Sequence, residues 1–194
     1  MESENPKIHK TKAAIQKALM ALLRDVNYPE IRVGQIISKA EIGRSTFYRH
    51  YSSKADVMVD IHRGLFGRFF GGYAHADAWH AEEPPQEMVA FLKVLHQMGP
   101  VHFSLMYKLG NDLDYLMCAI NAAFSQAVEA CLHQAFSYAP LSLPIPILAH
   151  AIAGSCTGLI MPWAIGSHDT PPVQFASYMH RTMRAILREA KGSM

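Results

Sequence analysis

Residues 32–57 decide how this 194-residue chain folds, and they read RVGQIISKAEIGRSTFYRHYSSKADV. Apolar residues recur at helical spacing over Val33–Ala40, and Phe47 and Tyr51 lie four residues apart after the segment Glu41–Gly43. The pattern predicts two short helices joined by a tight turn. That arrangement, preceded by a helix that packs on both, is a helix-turn-helix.

Helices are also predicted on both sides of this motif. Before it, one apolar stripe predicts a helix from about residue 11 to residue 26, formed by Ile15, Leu19, Leu22 and Val26. Asn27 and Pro29 suit the end of that helix. After the motif, Ser53 and Asp56 have the spacing of a capping box, which predicts the start of a longer helix.

The second helix of a helix-turn-helix enters the major groove of DNA, and the first crosses the backbone. Arg44 begins the predicted second helix, about residues 44–50, and is long enough to bond guanine O6 and N7 together. Thr46 suits a base edge or a thymine methyl group, and the neighbouring polar side chains suit phosphates. The residues predicted to contact DNA are Thr11, Lys12, Arg44, Ser45, Thr46, Tyr48, Arg49, His50 and Lys54. Spacing alone fits equally well a small amphipathic helix whose polar side chains face water.

The charge distribution favours a polyanionic partner for the first quarter of the chain. Between Lys7 and Lys54 there are ten Lys/Arg and three Asp/Glu, whereas from Gly64 onward there are seven and nine. The whole chain has a formal net charge of only +2. A basic segment on a near-neutral chain is therefore attributed to one DNA-binding region, rather than to a solvated basic surface.

The run from Arg32 to Val57 closely resembles the DNA-binding signature of the TetR family of bacterial transcriptional regulators. The family pattern has an apolar second helix, a tight turn, an aromatic recognition helix and a lysine that starts the fourth helix. The residues that fill the last part of this pattern are Thr46, Phe47, Tyr48, Tyr51 and Lys54. The match covers about a quarter of the chain.

Three positions depart from the family pattern. Glu41 stands in the turn where the family has glycine, Gly43 replaces the usual serine cap of the recognition helix, and Arg32 replaces a Ser or Thr cap. These changes affect which base pairs are read more than whether DNA is bound.

The resemblance implies an all-α protein with two domains. Residues 7–63 would form the three-helix helix-turn-helix domain, and residues 64–194 a larger α-helical domain for ligand binding and dimerisation. Within the second region the sequence predicts a polar linker over Asp77–Pro85 and helices over Gln86–Met98 and Val101–Leu109, separated by Gly99-Pro100. Further helices are predicted over about 113–131, over Ile147–Ile165, and from Pro171, capped by Thr170, to about Ala190.

The last two predicted helices carry the expected dimer interface. No charged residue occurs between Ala130 and His168, and Gly154 and Gly158 have the spacing that lets two helices approach closely. The resemblance implies that these helices pair with those of a second subunit as a four-helix bundle. The predicted interface residues are Ala151, Gly154, Ser155, Gly158, Met161, Phe175, Met179 and Met183. The alternative, a membrane span, is disfavoured by His150, Pro162 and the lack of flanking positive charge.

A pocket for an effector is predicted from a set of methionine and aromatic side chains, which suit an apolar ligand. Its residues are Phe91, Leu95, Met98, His102, Phe103, Met106, Tyr107, Met117 and Phe124. Such residues more often belong to the core, so core packing is the competing interpretation.

Other chemistry finds little support in the sequence. Cys118, Cys131 and Cys156 form no metal-binding pair and no disulfide pattern, which favours a cytoplasmic protein. His75 and His80 lack the spacing of a helical metal site, so no metal and no cofactor are expected. No paired carboxylates, phosphate loop or nucleophile arrangement indicates an enzyme.

The sequence therefore favours a dimeric repressor that a small, largely apolar ligand releases from a palindromic double-stranded operator. The alternatives are an activator or ligand-independent regulator that uses a protein partner, and a carrier of apolar ligands. The carrier leaves the basic helix-turn-helix unexplained.

Overall fold

A computed structural model describes residues 6–137, 141–166 and 169–190, with the backbone alone for residues 98–107. The described residues form α-helices joined by turns and contain no strand, which confirms the predicted all-α class. The helices are α1 (Pro6–Leu22), α2 (Val33–Lys39), α3 (Arg44–His50), α4 (Lys54–Phe69), α5 (Ala76–His80), α6 (Gln86–Tyr107), α7 (Leu113–Ala135), α8 (Ile145–Ala164) and α9 (Pro172–Glu189).

Helix α4 begins with the predicted capping box. The Ser53 hydroxyl accepts the Asp56 N–H at 3.2 Å, and the Asp56 carboxylate accepts the Ser53 N–H at 3.0 Å. These bonds satisfy backbone donors that have no partner in the first turn of a helix.

Helix α6 contradicts the predicted break at Gly99-Pro100, because it runs without interruption through both residues. A proline removes one backbone donor and bends a helix, but the remaining hydrogen bonds of a 22-residue helix are enough to continue it. The two helices predicted here are one.

The predicted linker Asp77–Pro85 is also partly wrong, since α5 occupies its first half. Trp79 anchors α5, with 1% of its surface exposed and its indole N–H donating to the Tyr73 carbonyl at 2.9 Å. Helix α9 starts at Pro172, one residue later than predicted, and the Thr170 carbonyl instead accepts the indole N–H of Trp163 at 2.7 Å.

The chain divides into two compact units, Met1–His62 with Leu105–Met117 and Arg63–Ser104 with Cys118–Met194. The core of the first unit includes five side chains of the helix-turn-helix region that are at most 5% exposed, which are Ile15, Leu19, Ile36, Phe47 and Tyr51. They come from α1, α2, α3 and the residue after α3, so these helices bury one shared apolar centre.

The second unit has an aromatic core. The rings of Trp163 and Phe175 stack at 4.3 Å with an interplanar angle of 7°, joining α8 to α9. The buried Tyr73 hydroxyl bonds Nδ1 of the buried His180 at 2.7 Å, and Nε2 of His180 lies 2.9 Å from the Ala81 carbonyl. Because the carbonyl only accepts, Nε2 carries the proton and Nδ1 accepts from Tyr73. Burial is the main cause that lowers the pKa of His180, and Arg184 lowers it further.

Within the described part of the chain, two helical segments are long and apolar enough to cross a membrane, Gly110–Ala135 and α8. Their apolar windows are 39% and 33% buried within the chain. Core helices of water-soluble proteins meet the same criteria of length and composition, so the two segments are weak evidence for a span.

Candidate DNA-binding surface

Helix α3 is attached to the core of the first unit by Phe47 and by Tyr51, the residue that follows the helix. Phe47 is fully buried, and its ring meets that of Tyr48 edge-on at 5.4 Å. The Tyr51 hydroxyl donates to the Asp60 carboxylate of α4 at 2.6 Å, and the Gln16 amide of α1 donates to the same carboxylate at 3.1 Å. Side chains of α1 and α4 therefore hold Tyr51, and with it the end of α3, in place.

The opposite face of α3 is open to solvent. Arg44, Ser45, Tyr48 and Arg49 are exposed, and the Arg44 guanidinium lies 5.6 Å from the centre of the Tyr48 ring. This cation–π contact orders the Arg44 side chain beside Tyr48 and leaves the five N–H donors of the guanidinium available for DNA. Neither arginine has an ion-pair partner among the residues that the structure describes. Of the other predicted residues on α3, Thr46 and His50 are half-buried.

Thr11 and Lys12, predicted to contact phosphates, lie in the second turn of α1 rather than at its start. Both are half-buried, and the Thr11 hydroxyl donates to the Lys7 carbonyl at 2.9 Å. A phosphate only accepts hydrogen bonds, so Thr11 would have to give up this bond to contact one.

The structure places Lys54, which was predicted to contact a phosphate, among backbone carbonyls of its own chain. Its ammonium group donates to the carbonyls of Tyr28, Ile31 and Pro29 at 2.7, 3.0 and 3.3 Å, and it lies 4.3 Å from the centre of the Tyr28 ring. Three acceptors take all three ammonium protons. Burial lowers the pKa of Lys54, and the Asp112 carboxylate opposes that shift. Lys54 is therefore a structural clamp between the start of α4 and the turn before α2.

Sequence reasoning missed a second set of contacts, which brings residues 110–115 to the helix-turn-helix within the first unit. The Tyr28 hydroxyl donates to the Asp112 carboxylate at 2.8 Å, and the Tyr115 hydroxyl donates to the Asp56 carboxylate at 2.7 Å. Burial and the Asp112 carboxylate raise the pKa of Tyr28, so the phenol stays protonated. Gly110 has φ +59° and lies close to the Pro29 ring. No local pattern could indicate contacts across more than fifty residues.

The turn between α2 and α3 is a Schellman motif. The Glu41 N–H donates to the Ser38 carbonyl at 3.2 Å, and the Ile42 N–H reaches back to the Ile37 carbonyl at 3.3 Å. Glu41 occupies the left-handed position with φ +53°, where glycine is usual. A residue with a Cβ pays about 1 kcal/mol of strain there. Gly43 begins α3 without a side-chain cap.

No family model matches the chain. A curated Bacillus subtilis protein, the uncharacterized HTH-type transcriptional regulator YxbF, is 28% identical over 121 residues. That match covers 56% of this chain and 32% of YxbF, so the chain spans about a third of the length of this curated relative.

Solved structures match almost the whole chain. AlkX, a TetR family repressor from Dietzia, superposes with a TM-score of 0.58 at 15% identity, covering 97% of this chain and 98% of AlkX. FadR of Thermus thermophilus, a TetR family repressor in complex with lauroyl-CoA, gives 0.55 at 17% identity, covering 94% and 96%. The chain has the TetR fold. The fold expected from the sequence motif is thus confirmed over both units.

The pocket predicted in the second part of this TetR fold is described only in part. The side chains of Met98, His102, Phe103, Met106 and Tyr107 lie outside the described residues. Phe91, Leu95 and Met117 are half-buried. Phe124 is 1% exposed and surrounded by the rings of Phe66, Phe69 and Phe70, as a core residue is.

The predicted dimer residues of the TetR fold fall into two groups. Ala151, Gly154 and Gly158 are exposed on α8, and Ser155 and Met161 are half-buried. The predicted residues of α9 are instead buried within the single chain; they are Phe175, Met179 and Met183, at 6%, 0% and 0% exposure. The exposed residues of α9 include Val173 and Tyr178, at 53% and 47%.

Among the described residues, no group of three or more His, Cys, Asp or Glu side chains could hold a metal ion. The three cysteines are free, and burial raises the pKa of Cys156 to about 12.

Proposed function

We propose that this chain is a cytoplasmic transcriptional repressor, which binds a palindromic double-stranded operator as a homodimer and is released by a small, largely apolar ligand. The observation that carries the proposal is the two-sided character of α3. Phe47 and Tyr51 are locked into the core of the first unit, whereas Arg44, Ser45, Tyr48 and Arg49 face solvent. A rigid short helix with an exposed arginine at its first position suits insertion into the major groove.

Exposed apolar residues on α8 support a homodimer. Ile147 and Leu159 are 57% and 37% exposed in the single chain. A Cβ atom added to Gly154 or Gly158 would meet no other atom within 4 Å, so the packing of this chain does not require glycine there. Small residues on an exposed, uncharged helix suit the close approach of a second helix.

The proposed effector is a small, largely apolar ligand. The structure of FadR with lauroyl-CoA shows that a TetR fold can hold a ligand with a long apolar chain, and AlkX is implicated in n-alkane degradation. The methionine and aromatic residues of α6 and α7 would suit a ligand of this class. Such a ligand would act by favouring a conformation of the dimer in which the two α3 helices no longer match successive major grooves.

The DNA-binding proposal is tested by selecting duplexes from a random library with the purified protein and measuring affinity for the enriched sequence. Arg44→Ala should weaken binding about 5- to 150-fold, which corresponds to the loss of one bidentate base contact, about 1–3 kcal/mol. Arg68→Ala is the matched control, because Arg68 is also exposed but lies at the end of α4. Failure to enrich any sequence, or equal binding by Arg44→Ala and the parent, would contradict the proposal.

The homodimer is tested separately by size-exclusion chromatography with light scattering. Leu159→Glu should convert a dimer into a monomer, whereas Leu143→Glu, at a leucine that is 44% exposed before α8, should leave the mass unchanged. A parent protein that is monomeric in this assay, or a dimeric Leu159→Glu variant, would argue against the α8 interface.

A further inference from the structure

The side chain of Glu41 has no role in the fold that the structure reveals. Its backbone closes the Schellman motif through the Glu41 N–H and the following Ile42 N–H, and glycine would make the same bonds. Among the described residues, Glu41 alone combines a side chain with a positive φ, +53°. Glutamate therefore strains a turn that glycine would form freely.

Nothing within the described chain compensates for this strain. Glu41 is exposed, and its carboxylate forms no hydrogen bond or ion pair with a described residue. It is also the only acidic residue between Glu30 and Asp56 in a strongly basic segment. A carboxylate in this place weakens attraction to phosphates, so it opposes binding to DNA of arbitrary sequence.

Glu41 lies in the turn that leads directly into the recognition helix α3. Arg44 follows three residues later as the first residue of α3, so the two Cα atoms are at most about 11 Å apart. In a helix-turn-helix the first residues of the recognition helix lie against base edges in the major groove. A carboxylate in the major groove can accept hydrogen bonds from the amino groups of bases. Glu and Asp usually accept from the N4 amino group of cytosine.

We infer that Glu41 is a specificity-determining residue, which accepts a hydrogen bond from the N4 amino group of a cytosine in each operator half-site. The inference rests on the proposed DNA-binding function and deepens it. The contact with cytosine offsets the repulsion between the carboxylate and the phosphates in the operator. On other sequences only the repulsion remains. Glu41 therefore favours binding to the operator and also weakens binding to unrelated DNA.

The test compares the parent with Glu41→Gln in two measurements, sequence selection from a random duplex library and affinity for an unrelated duplex. Glutamine keeps the size and the turn strain but removes the charge, and it suits adenine rather than cytosine. The variant should lose the preference for cytosine at one position of each half-site. The ratio of operator affinity to unrelated-duplex affinity should fall roughly tenfold, because one base contact is lost.

Two control variants separate the side chain from its surroundings. Asp25→Asn removes an exposed carboxylate elsewhere in the first unit and should leave the selected sequence unchanged. Glu41→Gly relieves the turn strain and should change the selected sequence, as Glu41→Gln does, while raising the stability of the fold. If strain rather than the carboxylate set the preference, only Glu41→Gly would alter it.

The two proposals fail in different ways. A parent protein that enriches no sequence overturns DNA binding, and the Glu41 inference with it. A parent that enriches an operator, with Glu41→Gln enriching the same operator at the same affinity ratio, overturns the role of Glu41 alone.

Discussion

Replacing Lys54 by methionine separates a structural lysine from a phosphate-binding one. Methionine has a similar length but no donor, so the variant leaves the Tyr28, Ile31 and Pro29 carbonyls without the ammonium group. A hydrogen bond to a charged group contributes about 1.5–3 kcal/mol when buried. Lys54 is half-buried, so water replaces part of this. If only the two shorter bonds are counted, at about 1–1.5 kcal/mol each, Lys54→Met should lower the free energy of unfolding by about 2–3 kcal/mol.

The assay is urea unfolding followed by circular dichroism at a fixed protein concentration, because association would shift the midpoint. Thermal unfolding should show a midpoint lower by about 5–10 °C for a chain of this size. Lys39→Met is the matched control, since Lys39 is exposed at the end of α2 and should change stability by less than about 0.5 kcal/mol.

DNA binding by the same variants tests the alternative, that Lys54 contacts a phosphate of the DNA backbone. A lysine that neutralises a phosphate contributes about one to the slope of log affinity against log salt. We expect Lys54→Met to leave that slope unchanged. An unchanged stability together with a slope smaller by about one would refute the clamp.

Two further predictions concern the second unit. Gly72→Ala should lower the free energy of unfolding by about 1–3 kcal/mol in urea, because a Cβ there would overlap the Pro85 ring. Gly71→Ala, which has room for a Cβ, is the control. Equal losses of stability in the two variants would contradict the close contact between Gly72 and Pro85. Because burial holds the pKa of His180 below 6.5, the unfolded state binds more protons as pH falls, so stability should decrease below about pH 6.5. His180→Gln should weaken that pH dependence of stability between about pH 7.5 and pH 5, and a His180→Gln variant as pH-sensitive as the parent would exclude His180 as the source. Tyr73→Phe, which removes the hydroxyl that bonds His180, should destabilise the fold at neutral pH by about 1–3 kcal/mol.

The part of the fold that the sequence predicts best is the part stabilised by local interactions. The bounds of α3, Arg44–His50, follow from the turn at Glu41–Gly43 and the spacing of Phe47 and Tyr51. The capping box before α4 is likewise readable, because both of its partners lie within four residues.

Residues whose environment depends on distant contacts were predicted less well. Lys54 has the charge and position of a phosphate ligand, and only packing brings three carbonyls to its ammonium group. Met179 and Met183 have the spacing of an interface, but the same spacing serves the core of one subunit, and periodicity cannot tell which face meets which partner.

The most direct test of DNA reading by α3 is methylation interference on the selected operator. Methylation of guanine N7 blocks the major-groove edge to which Arg44 would bond. We predict that N7 methylation at one guanine in each half-site prevents binding by the parent, and that Arg44→Ala loses this sensitivity at that guanine alone. Two results would contradict base reading by Arg44. One is interference confined to adenine N3 in the minor groove, and the other is the same methylation-interference pattern for the parent and Arg44→Ala.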